Sequence, residues 1–172
     1  FDEWNMIYTV DPNISNKLTW ERFFGDRGDD YILPEFYPPL NAFLLKYFLK
    51  FTGYFTESAR LYSLIFGIFS FFPFYQLAKK ISGKKCASIS SIIFVLNLFI
   101  IWQSNEIRPH SFVLFFSLLS LVYFLEIIEN KKSILFYFFY IFISVVLLSS
   151  WPFALTIYFG KILYILINNK LK

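Results

Sequence analysis

The side chains able to do acid–base or phosphate chemistry are few, and they recur in one kind of place. Asp2 and Glu3 open the chain. Glu57 and Arg60 begin the first long apolar run, and Gln103, Ser104, Asn105, Glu106 and Arg108 fill a later break between two such runs. Tyr37-Pro38-Pro39-Leu40 leads into a shorter apolar segment, and His110 follows Pro109. A carboxylate can take the proton of a hydroxyl nucleophile. A guanidinium can hold a phosphate with a planar fork of donors. Asp2 facing Arg60 and Arg108 would therefore suit a sugar donor that leaves as a phosphate. One Cys (Cys86) and one His exclude a centre built from clustered Cys and His.

Each of these residues also has a plainer role. Asp2 and Glu3 can be solvated charges in a surface loop. Arg60 can neutralise Glu57, because i and i+3 share a helix face. Glu106 and Arg108 can pair to close a break between helices, and His110 reads first as a polar helix-end residue. Pro38-Pro39 fixes how the chain enters the next helix. Asp26, Asp29 and Asp30 read as a charged turn in preference to a cation site, and Cys86 as an inert small residue. The Phe-rich stripe of Phe69, Phe71, Phe72 and Phe74 reads as lipid-facing or packing surface. Ser63 and Gly67 form a small-xxx-small pair suited to close helix packing.

Composition decides what must position these groups. Of 172 residues, 57% are hydrophobic and 16% charged, whereas soluble domains carry about 25% charged residues. This excludes a disordered chain, a disulfide scaffold and an ordinary soluble globule. The expected fold is all-α: a polytopic transmembrane helical bundle with an outer-face loop carrying short amphipathic helices. Residues 1–37 hold eight of the twelve acidic residues and form that loop. Within it, 2–10 reads as one short helix ended near Pro12. Ile14, Leu18, Phe23 and Phe24 mark a second helix that Gly25 can stop, and 25–30 reads as a loop. Phe1 is no initiator Met, so the chain reads as a piece that starts after a first membrane helix.

From residue 38 the apolar candidates are 38–52, 57–79, 86–103, 109–128, 133–150 and 153–168. A span needs about 20 residues. The first candidate is shorter and carries Lys46 and Lys50, so it reads as an interfacial helix followed by about five transmembrane helices. The last candidate is also short and its Lys161 is off-pattern, while the middle of each predicted span reads as uncharged. Lys79, Lys80, Lys84 and Lys85 cluster in one break, Lys131 and Lys132 in another, and Lys170 and Lys172 near the end. If these face the cytoplasm, residues 1–37 and the breaks at 103–108 and 149–152 face outward.

The ordered motifs Asp2-Glu3, Tyr37-Pro38-Pro39-Leu40, Glu57-Ser58-Ala59-Arg60 and Ser104-Asn105-Glu106-Ile107-Arg108-Pro109-His110 resemble those of the GT-C membrane glycosyltransferases. The similarity is to bacterial relatives of protein O-mannosyltransferases and lipid A aminoarabinose transferases, over nearly the whole chain. It implies an enzyme of the bacterial inner membrane, multi-pass, with its site on the extracytoplasmic side. Its donor would be a polyprenyl-phosphate-linked sugar and its acceptor a lipid, glycan or protein hydroxyl, with membrane lipid as surroundings and no nucleic acid. Transfer would invert the anomeric centre. Asp2 then corresponds to the general base and Glu3 to its neighbour in the site. Arg60, Glu106, Arg108, Tyr37 and His110 fall at substrate-binding positions. No cofactor is implied with certainty, and a divalent metal stays open. Tyr37 stands where the family has His, His110 where Tyr is usual, and Ser150-Trp151-Pro152 where many relatives have Thr-His-Tyr. The C-terminal portion of such an enzyme is expected to lie outside this piece. Two other classes fit the composition: a transporter or flippase of lipid-linked sugars, and a non-catalytic membrane scaffold.

Overall fold

The computed structural model describes the backbone of residues 2–24, 39–129 and 134–170, and the side chains of all of these except 2–5, 23, 24 and 168–170. The sequence-predicted turn at 25–30, Tyr37, and the lysines at 131, 132, 170 and 172 lie outside the described residues or side chains. Among the described residues every regular element is helical.

Two short helices come first, α1 (Asp2–Thr9) and α2 (Asn16–Phe24). Between them the Asp11 carboxylate accepts the Asn13 N–H at 2.8 Å, a local bond that favours a turn over a continued helix. The Ser15 hydroxyl then accepts the Leu18 N–H at 3.2 Å and caps α2. Helix α3 (Leu40–Thr52) follows Pro39. Its 13 residues reach about 20 Å, too short for a hydrocarbon core of about 30 Å. It buries Asn41, Ala42, Leu45, Lys46 and Leu49 and exposes Leu44, Tyr47 and Phe51. A helix with one face packed and an apolar face outward suits a membrane surface.

Helix α4 (Thr56–Phe69) runs through Ser70 into α5 (Phe71–Val95). Two stretches, Thr56–Val95 and His110–Glu129, are long and apolar enough to cross a membrane. The first of them is not one rod. At Gly83 the backbone has φ 80° and ψ 170°, open to glycine at little cost. The chain doubles back there: Phe74 stacks on Phe94 with ring centroids 4.2 Å apart, although 20 residues of straight helix would separate them by about 30 Å. One arm, 56–82, therefore descends, and the second returns through α6 (Leu98–Asn105). The Asn97 side chain accepts the Phe99 N–H at 2.9 Å and starts α6. Beyond lie α7 (His110–Glu129), α8 (Ile134–Leu148), a 3₁₀ turn (Pro152–Ala154) and α9 (Leu155–Lys170).

The arms interlock by small residues and rings. A Cβ on Gly67 would lie 2.1 Å from the Ser104 Oγ, so the Ser63–Gly67 pair does let two arms approach closely. Phe66 lies edge-on to Phe112 at 4.8 Å, joining α4 to α7. Away from these seams the helices expose Ile92, Phe99, Phe138, Ile141, Phe142 and Leu166. So continuous an apolar surface belongs in hydrocarbon rather than water.

The two ends of the bundle differ. At one end Lys80 donates to Glu126 Oε1 at 2.6 Å and pairs with Glu129 Oε2 at 2.8 Å, closing α5 against the end of α7. At the other end lie the short helices, the break after α6 and the turn before α9. Leu40 N–H donates to the Ser149 carbonyl at 3.4 Å, and the His110 ring lies edge-on to Trp151 at 5.5 Å.

Candidate active site

One hydrophobic core builds the site from below. It gathers Met6 and Ile7 of α1 with Val10 just past its end, Ala42, Leu45 and Leu49 of α3, Ala59 and Tyr62 of α4, Ile107, and Phe112 of α7. Fully burying one such side chain contributes roughly 1.5–3 kcal/mol, so α1 is held by three apolar anchors. The consequence is spatial. Ala59 immediately precedes Arg60, and Ile107, with no exposure, sits between Glu106 and Arg108. Burying Ala59 and Ile107 in the core that also holds α1 brings three sequence-distant motifs to one end of the molecule.

Polar contacts then fix the orientation of α1. The Tyr54 hydroxyl donates to the Ile7 carbonyl at 3.0 Å. Arg22 of α2 donates to the Tyr8 carbonyl at 2.9 Å and to the Tyr8 hydroxyl at 3.0 Å, and its guanidinium lies over the Tyr8 ring at 3.9 Å. Lys46 of α3 is buried and donates to the Ile14 carbonyl at 2.8 Å, Asn16 Oδ1 at 3.0 Å and Thr19 Oγ at 2.8 Å. Burial pushes the Lys46 ammonium below its ordinary pKa, with the Asp11 charge opposing and Lys50 adding to the shift. Burial likewise raises the Tyr54 phenol, with the Asp11 charge the next cause. Between α3 and α4, the buried Tyr62 hydroxyl donates to Asn41 Oδ1 at 3.0 Å.

Lys46 is where these contacts converge. Ala42, Leu45, Lys46 and Leu49 occupy successive positions of the buried stripe, so the lysine replaces an apolar stripe residue. That spacing was the signal available for its role in docking α2. Lys46→Met keeps the stem and deletes three donated bonds. Hydrogen bonds to a charged group are worth about 1.5–3 kcal/mol each and are not additive, so a loss of about 2–4 kcal/mol is expected. Limited proteolysis should show earlier cleavage within 11–24, and wild-type resistance would rule out Lys46 as the latch.

The sequence-predicted site residues are placed as follows. Asp2 and Glu3 begin α1, but their side chains, like Tyr37, lie outside what is described. Arg60 is exposed on the second turn of α4. The Arg108 Nε lies 4.0 Å from Glu106 Oε2, both side chains partly buried. His110 starts α7 against Trp151, and Ser111 Oγ donates to the Gln103 carbonyl at 3.1 Å, tying the break closed. Among the described residues no group of three His, Cys, Asp or Glu could hold a metal ion.

Lys161 corrects the expectation that mid-span positions are uncharged. It lies in α9 at 4% exposure, donating to Ser120 Oγ at 2.6 Å. The Tyr158 and Tyr140 rings stand 4.3 and 4.9 Å from its ammonium. Hydroxyl and ring faces satisfy the cation in place and lock α9 to α7 and α8.

The sequence profile of the family described as dolichyl-phosphate-mannose-protein mannosyltransferase matches residues 37–172. The chain belongs to that family. Neither the curated proteins nor the solved structures compared with it give a match. Membership makes the chain a membrane glycosyltransferase of the GT-C type that draws on a lipid-linked sugar. The mannosyltransferase profile covers Arg60, Glu106, Arg108 and His110, while α1 and α2 precede the matched residues.

Proposed function

We propose that this chain carries the donor-side machinery of an inverting glycosyltransferase of the bacterial inner membrane. It moves a sugar from a polyprenyl-phosphate carrier to a lipid, glycan or protein hydroxyl of the cell envelope. Five apolar arms, 56–82, 84–105, 110–129, 134–148 and 152–170, cross the membrane, and α3 lies on its outer surface. Asp2 takes the proton of the acceptor hydroxyl. The oxygen attacks the anomeric carbon from the face opposite the phosphate, and the phosphate leaves with the electron pair of the broken C–O bond. A single displacement of this kind inverts the centre. Glu3 supports the base, and Arg60 and Arg108 balance the growing phosphate charge. Glu106 aligns Arg108, and Tyr37 and His110 complete the substrate-binding rim.

The observation carrying this reading is the shared core of α1, α3, Ala59 and Ile107 in a chain of the mannosyltransferase family. It supports the reading that acids and arginines far apart in sequence gather at one end of the bundle. The test is transfer of label from a polyprenyl-phosphate sugar to envelope acceptors, using the full-length protein in membranes. Label remaining wholly on the carrier would overturn the proposal. Arg108→Ala removes a charge-assisted contact worth about 1.5–3 kcal/mol, so the donor KM is expected to rise about 10- to 100-fold. An unchanged donor KM would take Arg108 out of phosphate binding.

A further inference from the structure

A cavity of about 390 Å³ opens beside α1, lined by Ile7, Tyr8, Tyr54, Phe55, Thr56 and Glu57. Its size falls within the range of small-molecule sites, roughly 300–1,000 Å³. It lies at the end of the bundle where α1 meets the start of α4. Tyr8 is six residues from Asp2 on α1, about 9 Å along the axis at 1.5 Å per residue. That is the reach of a short saccharide.

The lining has a definite chemistry. Three aromatic rings and one carboxylate surround a largely apolar hollow. Two of the rings are fixed before any ligand arrives: Tyr54 by its hydroxyl on the Ile7 carbonyl at 3.0 Å, and Tyr8 by the Arg22 guanidinium over one face at 3.9 Å. Such fixing lowers the ordering cost of binding. The negative face of an aromatic ring attracts polarised C–H groups, and one side of a pyranose presents several of these together. The Glu57 carboxylate accepts O–H donors in charge-assisted bonds about twice as strong as neutral ones, and the edge of a pyranose presents such donors in pairs. An acyl chain offers neither feature, and the choline of a lipid headgroup offers no hydroxyl for Glu57.

We propose that this cavity is a pyranose-binding subsite, with Tyr8, Tyr54 and Phe55 supplying the ring faces and Glu57 reading hydroxyl groups. This deepens the glycosyltransferase reading and rests on it, since the pyranose belongs either to the donor or to a glycan acceptor.

The experiment separates the two readings by measuring binding without turnover. Full-length protein carrying Asp2→Asn in lipid nanodiscs is probed by saturation-transfer NMR with methyl α-D-mannopyranoside. Open-chain mannitol and glycerophosphocholine serve as comparisons. Saturation is expected on the pyranoside ring protons and to be at least threefold weaker on mannitol. Glu57→Gln and Phe55→Leu, both at exposed positions, should each reduce the pyranoside signal at least threefold. Equal signal in the wild type and both variants overturns the proposal, as does saturation of glycerophosphocholine in place of the pyranoside, which would mark an interfacial lipid belt. In the active protein, a threefold rise in KM caused by Glu57→Gln places the pyranose on whichever substrate shows it. Unchanged KM values for both substrates overturn the subsite. If transfer itself is never observed while the pyranoside still binds, the enzyme reading fails and the subsite stands.

Discussion

Asp2→Asn is expected to lower sugar transfer by about 10²- to 10⁴-fold, the contribution typical of a positioned general base. Asparagine keeps the volume of aspartate and its capacity to accept a hydrogen bond through oxygen, but it cannot take the proton of a hydroxyl. The fold has little reason to respond, because α1 is held through Met6, Ile7, Val10 and the Arg22 and Tyr54 contacts. Donor binding should also survive, since the proposed phosphate contacts lie on α4 and in the 106–108 break. The expected signature is thus a fall in kcat with a nearly constant donor KM. The assay is transfer from a labelled polyprenyl-phosphate sugar by the full-length protein, with thermal stability measured alongside. Transfer within threefold of wild type would remove Asp2 from the role of base.

The membrane class, the shortness of α3 and the positions of the apolar helices follow from composition and hydropathy. Those signals are local, and the physics is local too. A run of about 20 apolar residues is stable only with its backbone bonds satisfied within a helix. What could not be read was contact between elements. Lys80 reads as a topological charge, yet it is held by Glu126 and Glu129 from another helix. The reversal at Gly83 was legible, because Lys79, Lys80, Lys84 and Lys85 mark a break between the apolar candidates 57–79 and 86–103, and the chain turns back there.

The site was legible in an uneven way. Arg60, Glu106 and Arg108 stand out because charge at the rim of apolar runs is rare. The groups that orient the site are less visible. Arg22 looks like an ordinary surface cation, and its place over Tyr8 depends on how α2 folds back on α1. Asn41 and Tyr62 look like tolerated polar residues, and only their 3.0 Å bond reveals a joint between α3 and α4. Lys161 looks off-pattern in an apolar helix until Ser120 and the tyrosine rings are brought around it.

Gly67→Val should produce a large loss of stability, because the contact it disrupts has no slack. Even the first carbon of a side chain at this position would lie 2.1 Å from the Ser104 Oγ and 2.7 Å from its Cβ. Ser104 cannot simply swing away, since its hydroxyl donates to the Ile100 carbonyl at 2.7 Å and its Cβ is fixed by helix α6. The two arms must move apart instead. Overpacking of this kind costs about 1–3 kcal/mol and occasionally more, and valine loses further rotamer freedom in a helix. Function should suffer with stability. Gly67 lies two turns from Arg60 on α4, and Ser104 lies near the end of α6, four residues before Arg108, so parting the arms shifts the two guanidinium groups relative to each other. A lower melting temperature and a raised donor KM are therefore expected together. The complementary exchange separates this from a generic helix defect. Gly67→Ala alone should destabilise, and adding Ser104→Gly, which clears the facing atoms, should recover part of the loss as a favourable coupling of about 1 kcal/mol. Strict additivity in that cycle would mean that the two arms do not meet at this height, and the convergence of the arginines would lose its structural support.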